Sequence, residues 1–195
     1  SKVNLPLNGT LDFLSTDSKS DHFFVSYSSF NQPSTYYYGE NDKIVKTIKM
    51  SKSFFNHENI EVKQSFVKSK DGTMIPYFVV HKKGINYDGK NPTILYGYGG
   101  FEISIKPNFR NDLGVNWLEQ GGVYVVANIR GGGEYGPAWH QAVLKNNRQR
   151  AYDDFFAVAE DLIAKKITSK KHLGAKGGSN GGLLMGICYT MRPDL

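Results

Sequence analysis

Apolar and polar positions are arranged in two different styles along this chain. Up to about residue 60 the apolar residues come in short runs interrupted by polar ones: Phe23-Phe24-Val25-Ser26-Tyr27, Ser34-Thr35-Tyr36-Tyr37-Tyr38 and Lys43-Ile44-Val45-Lys46-Thr47-Ile48. Asn31-Gln32-Pro33 and Gly39-Glu40-Asn41-Asp42 separate them as turns. This pattern predicts an antiparallel meander. Two or three such strands cannot bury a face by themselves, so they are expected to belong to a larger β domain.

From about Glu61 the style changes. Val62 to Lys68 and Met74 to His81 predict a hairpin around Ser69-Lys70-Asp71-Gly72. Thr93 to Gly97 and Gly122 to Ile129 are nearly continuous apolar runs, as expected of parallel strands buried on both faces. Asp112 is placed to cap a helix running through Leu118, with Gly121 and Gly122 ending it. Tyr152, Phe155, Phe156, Ala159, Leu162 and Ile163 recur at helical spacing. His172 to Lys176 reads as a short strand, and Leu183 to Cys188 as an apolar helical run ending near Pro193. The order predicts an α/β architecture: the N-terminal half of an α/β-hydrolase fold. The expected division is residues 1–60 as a β remnant and 61–195 as an incomplete α/β domain.

Between the last strand and the last helix lies Gly177-Gly178-Ser179-Asn180-Gly181-Gly182. Gly177, Ser179 and Gly181 spell G-x-S-x-G, which sets a serine on a sharp strand-to-helix turn with its hydroxyl exposed for attack on a carbonyl. The competing interpretation is a glycine-rich surface loop with an idle serine, since the chain has 21 glycines. Acyl transfer needs oxyanion donors. One is the N–H after the nucleophile, here Asn180. The other comes from the loop after the third hydrolase strand, here Tyr96-Gly97-Tyr98-Gly99-Gly100-Phe101, where a tyrosine hydroxyl would serve as well as an amide. An ordinary strand exit is the alternative. Arg130 to Gly136 lacks the spacing and lysine of a phosphate loop; Arg130 is expected to pair with Asp153 or Asp154, against a substrate contact.

All five histidines precede Ser179, and Asp194 is the one acid after it. An α/β-hydrolase orders its triad Ser, Asp or Glu, His. Asp194 lies on the order of 20 Å along the helix at about 1.5 Å per residue, too far to serve. The histidines are scattered without ligand spacing, so neither a metal nor a cofactor is expected. The formal charge of +6 is concentrated partly in Lys165, Lys166, Lys170 and Lys171. They are expected to form a solvated helix end rather than a nucleic-acid surface. Asn8-Gly9-Thr10 is a glycosylation sequon without meaning in the cytoplasm. One cysteine, Cys188, excludes an internal disulfide and suits a reducing compartment; it is expected in the core. No run is long enough for a membrane span, and none resembles a signal peptide.

The chain from about Phe54 to Leu195 resembles the prolyl oligopeptidase family of serine peptidases. The likeness rests on Ser69-Lys70-Asp71-Gly72-Thr73 with Ile75-Pro76, Tyr96 to Phe101, Asn128 to Gly136, Trp139-His140, Asp153-Asp154-Phe155, Gly177 to Leu184, and Arg192 to Leu195. More weakly, the first 55 or so residues resemble the closing strands of that family's seven-bladed β-propeller. The resemblance implies that Ser179 is the nucleophile, Asn180 N–H and the Tyr98 hydroxyl are the oxyanion donors, and Phe101 lines an apolar pocket for proline. It places the triad aspartate and histidine, a substrate-binding arginine and most of the propeller outside this chain. The implied parent is a cytoplasmic, monomeric peptidase acting on short peptides after proline, with no cofactor, metal, nucleic acid or membrane partner. The chain alone would be inactive. The oligopeptidase B branch, which cleaves after basic residues, usually reads differently around both the tyrosine loop and the elbow. A non-catalytic truncated fragment is another reading, and so is an esterase or lipase of the same fold, though no apolar lid is visible.

Overall fold

A computed structural model describes residues 8–195. The first seven residues of the expected 1–60 segment lie outside the described residues. Two sheets are present. Strands β1 (Gly9–Thr16), β2 (His22–Ser29), β3 (Thr35–Glu40) and β4 (Lys43–Met50) form an antiparallel meander in chain order. The first of these was not anticipated: Gly9-Thr10-Leu11-Asp12-Phe13-Leu14-Ser15-Thr16 has its apolar residues bunched, and a register shift between Phe13 and Ser15 breaks the alternation. Val25, Tyr27 and Phe30 are buried, whereas Phe13, Val45, Ile48 and Met50 are exposed.

The second sheet has the order β5-β6-β8-β7-β9. Strands β5 (Ile60–Lys68) and β6 (Met74–Lys82) form the expected hairpin, with Ser69 N donating to Thr73 O at 2.8 Å. Strand β8 (Val123–Ala127) pairs antiparallel with β6 and parallel with β7 (Thr93–Gly97), which in turn pairs parallel with β9 (Leu173–Lys176). The apolar runs alternate between two cores. Tyr77, Val79, Val123, Val125 and Ala127 meet Phe155, Val158, Ala159, Leu162 and Leu184 on one face. Phe78, Val80, Tyr124 and Val126 meet Phe30, Phe55, Ile60 and Leu118 on the other. This explains why both strands read as continuous runs. Each fully buried aliphatic here contributes roughly 1.5–3 kcal/mol.

Helices cover the sheet. α1 (Asn111–Leu113) continues as a π-type segment, Gly114–Leu118; α2 (Pro137–Gln141) is short; α3 (Gln149–Ala164) and α4 (Asn180–Met191) flank the first core. The α3 stripe is as expected for Tyr152, Phe155, Phe156, Ala159 and Leu162, which are buried, whereas Ile163 turns partly to the surface. Asp112 does not cap the helix that runs through Leu118. It lies inside the first turn, where Arg110, on the cap position, binds its carboxylate. The helix does end as expected: Gly121 has φ +88° and its N–H meets Leu118 O at 3.0 Å. No helix of the described residues is long and apolar enough to cross a membrane.

The parallel register matters most for function. Gly97 pairs with Ala127 and Tyr96 with Lys176, so β7, β8 and β9 end level. The loops that follow, 98–101, 128–136 and 177–179, therefore emerge together at one edge of the sheet.

Candidate active site

Ser179 stands between β9 and α4 with φ 53° and ψ −119°, and it is exposed. A non-glycine residue in such a conformation costs about 1–3 kcal/mol and persists only where its surroundings enforce it. The flanking glycines do so. A Cβ on Gly177 would overlap the Gly181 carbonyl, and one on Gly181 would sit 2.7 Å from Gly97 O. The turn is closed by Gly181 N donating to Gly178 O and Gly182 N donating to Ser179 O, both at 2.8 Å. Gly178 and Gly182 face open space. Only the two glycines of the G-x-S-x-G pattern are sterically required. The Ser179 hydroxyl makes no hydrogen bond among the described residues, and it lies at the positive end of α4.

Asn180 opens α4. Its N–H belongs to the first turn, where helix donors lack an intrahelical acceptor, and none of the described residues accepts from it. Its side chain reaches across to the β7 exit, where Nδ2 donates to Tyr98 O at 2.6 Å. Tyr98 is half-buried, and its Cα is 3.7 Å from where a Gly181 Cβ would stand. Its hydroxyl is unbonded among the described residues. The structure thus brings Ser179, Asn180 and Tyr98 into one neighbourhood. Phe101 follows in a left-handed turn with Glu102 (φ 54° and 56°) and is 72% exposed. Beyond it, Glu134 Oε1 accepts from Ile105 N at 2.9 Å and from Asn128 Nδ2 at 3.1 Å, fastening the segment after Phe101 to the β8 exit.

Arg130 belongs to structure. Its side chain is 5% exposed and pairs with Asp154, which is fully buried. Nε and Nη2 donate to the two Asp154 oxygens at 2.9 and 2.7 Å. Nη1 donates to Asp71 Oδ2 at 2.6 Å and to Thr73 Oγ1 at 3.1 Å. Ser69 Oγ donates to Asp154 Oδ1 at 2.6 Å. Of the two aspartates considered, Asp154 is the partner, and Asp153 instead accepts from Gln149. The arginine beside Asp71 holds that carboxyl well below the usual carboxylate range. Cys188 is half-buried, and burial pushes its thiol up to about 11. The histidines are engaged elsewhere: His140 Nδ1 lies 2.8 Å from Gly131 O, and His172 Nδ1 lies 2.9 Å from Ser169 Oγ.

The Prolyl oligopeptidase family (Peptidase_S9) pattern matches residues 107–195. An uncharacterized peptidase of Sinorhizobium fredii is 53% identical over 100% of this chain and 27% of its own length. The prolyl endopeptidase of Elizabethkingia miricola is 42% identical over 100% of this chain and 28% of its own length. The chain is similar to the prolyl oligopeptidase family along its whole length. Among solved structures, a post-proline cleaving enzyme from Rickettsia typhi superposes with a TM-score of 0.89 at 43% identity, covering 97% of this chain and 28% of that one. Oligopeptidase B from Leishmania major superposes with a TM-score of 0.88 at 30% identity, covering 98% and 27%. The chain spans about a quarter of the length of these relatives.

Sequence reasoning missed one residue beside this elbow. Arg148 donates from Nη1 to Gly99 O at 2.7 Å and from Nη2 to Asn180 Oδ1 at 3.3 Å. Its signal was slight: a cation four residues before Tyr152, the first aromatic of the α3 stripe.

Proposed function

We propose that the full-length protein is a serine peptidase that hydrolyses short peptides after proline, with Ser179 as nucleophile. The observation that carries this is the Ser179 backbone, held at φ 53° and ψ −119° with its hydroxyl exposed beside Tyr98 and Asn180. The strand order β5-β6-β8-β7-β9 with the serine after β9 supports an α/β-hydrolase domain over 61–195. The four-stranded meander supports a propeller blade before it. Ser179 Oγ attacks the prolyl carbonyl carbon and passes its proton to a base. The carbonyl electrons move onto oxygen, which accepts from the Asn180 N–H and the Tyr98 hydroxyl. Collapse expels the amine, now protonated, and leaves an acyl-enzyme that water hydrolyses. The acid and base are supplied by the remainder of the protein. Phe101, already exposed, forms one wall of the proline pocket. No metal or cofactor enters these steps.

Oligopeptidase B likeness supports a second reading, cleavage after basic residues. The full-length protein, assayed with chromogenic Gly-Pro and arginyl peptides, should turn over the prolyl one and lose that turnover in Ser179→Ala. Preference for the arginyl peptide would transfer the assignment to the second reading. Residues 1–195 alone should be inactive on both.

A further inference from the structure

We propose that Arg148 is a positioning residue that sets the spacing between the two oxyanion donors; this rests on the roles proposed above for Tyr98 and Asn180. Those donors come from different elements. Tyr98 lies on the exit of β7, and Asn180 on the first turn of α4. One planar guanidinium touches both, through Gly99 O at 2.7 Å and Asn180 Oδ1 at 3.3 Å. The Asn180 amide completes the circuit by donating to Tyr98 O at 2.6 Å. With Oδ1 turned to the arginine and Nδ2 to the tyrosine carbonyl, the amide has one orientation only. Its packing is close, since a Cβ on Gly100 would overlap Nδ2.

Arg148 is itself held from the core. Its guanidinium lies over the ring of Tyr152, 5.4 Å from the centroid, and that ring is buried on the core face of α3. The α3 core thus fixes the plane of the arginine fork, and the fork fixes the two segments that carry the donors. Oxyanion stabilisation depends on donors 2.7–3.1 Å from where the charge develops, so a slip of either segment weakens the transition state more than substrate binding. A lysine lacks the rigid planar fork and would not fix the two acceptors relative to one another.

The test uses the full-length protein and a chromogenic prolyl peptide. Arg148→Met should lower kcat roughly 10-fold, less than the roughly 100-fold that a 1 Å misplacement can cost. KM should stay within about twofold. Arg148→Lys should recover part of the loss. In a double-mutant cycle with Tyr98→Phe, Arg148→Met should cost much less in the Tyr98→Phe background, because one of the donors it aligns is gone. An unchanged kcat, a loss carried by KM, or strictly additive effects would overturn the proposal. If Arg148→Met fails to fold, Arg148→Lys in the same cycle decides. Ser179→Ala separates the two levels. Retained turnover there would overturn the proposed reaction itself. Lost turnover with an unaffected Arg148→Met would overturn only the role of Arg148.

Discussion

The loops after β8 and β9 leave the same edge of one sheet, and both are glycine-rich. The first turns Arg130 inward. Its guanidinium meets carboxylates from α3 and from the β5–β6 turn, Asp154 and Asp71, and the cluster ties three elements together. The second turns Ser179 outward, on a strained backbone, with its hydroxyl unbonded among the described residues. Glycine content does not separate the two loops. The partners of Arg130 and of Ser179 do. A buried charge must be paired where it sits, so it is spent on stability. An exposed hydroxyl on a strained turn stabilises nothing, so its position calls for a functional reason.

The sharpest way to break this contrast is Ser179→Ala. On the proposed reaction, kcat of the full-length protein should fall by about 10⁶-fold, as when a triad serine is removed elsewhere. The thermal midpoint should hardly move, because the hydroxyl bonds nothing among the described residues and an exposed contact to a base adds little stability. A variant that keeps its activity, or one that unfolds several degrees early, would put Ser179 in the same class as Arg130.

The opposite outcome is expected across the sheet edge. Asp154→Ala should cost about 3–5 kcal/mol of stability, since it leaves Arg130 buried and half-paired. Denaturant unfolding of the full-length protein measures it. A loss below about 1 kcal/mol would mean that the arginine escapes to water. The Asp71 arm is weaker, because that side chain is 37% exposed and solvent screens it. Its folded carboxyl titrates below the unfolded one. Its contribution is therefore complete above the unfolded value of about 3.9 and is lost as pH falls below it. The thermal midpoint should drop on that acid limb, and Asp71→Asn should flatten the drop.

Much of this contrast was legible in the amino-acid sequence. G-x-S-x-G names a turn whose geometry follows from two glycines packed against backbone, and the structure has those contacts at Gly177 and Gly181. The runs at Thr93 and Gly122 gave their strands because burial on both faces leaves no polar positions. Local pattern failed where the partner was distant in sequence. Arg130 had two candidate aspartates one residue apart, and only the α3 face decided between them. Asp112 looked like a cap, yet an arginine two residues before it took its carboxylate. Arg148 binds groups 49 and 32 residues away, which no spacing rule encodes. Strand β1 was missed because its pairing with β2, not its own alternation, orders it.

Tyr98→Phe sharpens the chemical half of the comparison. It removes one oxygen and leaves the carbonyl that Asn180 holds. Loss of one oxyanion donor typically costs about 2.7–4 kcal/mol, and it should appear in kcat with KM nearly unchanged. Phe101→Ala should do the reverse, raising KM for prolyl substrates. If Tyr98→Phe altered KM alone, the hydroxyl would be a substrate contact and not an oxyanion donor.

The smallest effect expected is a gain. Gly182 lies inside α4, and a Cβ there meets nothing within 4 Å. Glycine within a helix is worse than alanine by about 0.5–1 kcal/mol, so Gly182→Ala should stabilise the protein by that amount. Gly181→Ala, one residue earlier, should do the opposite, because its Cβ would press to 2.7 Å from Gly97 O and push the Ser179 turn off the strand exit that carries Tyr98. Thermal midpoints of the two variants, measured side by side with kcat, test the steric argument at adjacent glycines. Two equal losses would show that the open space beside Gly182 is filled in the full-length enzyme. A gain at Gly182 with a loss at Gly181 would show that the elbow is held at the two positions its pattern names, and that the neighbouring glycine is free to change.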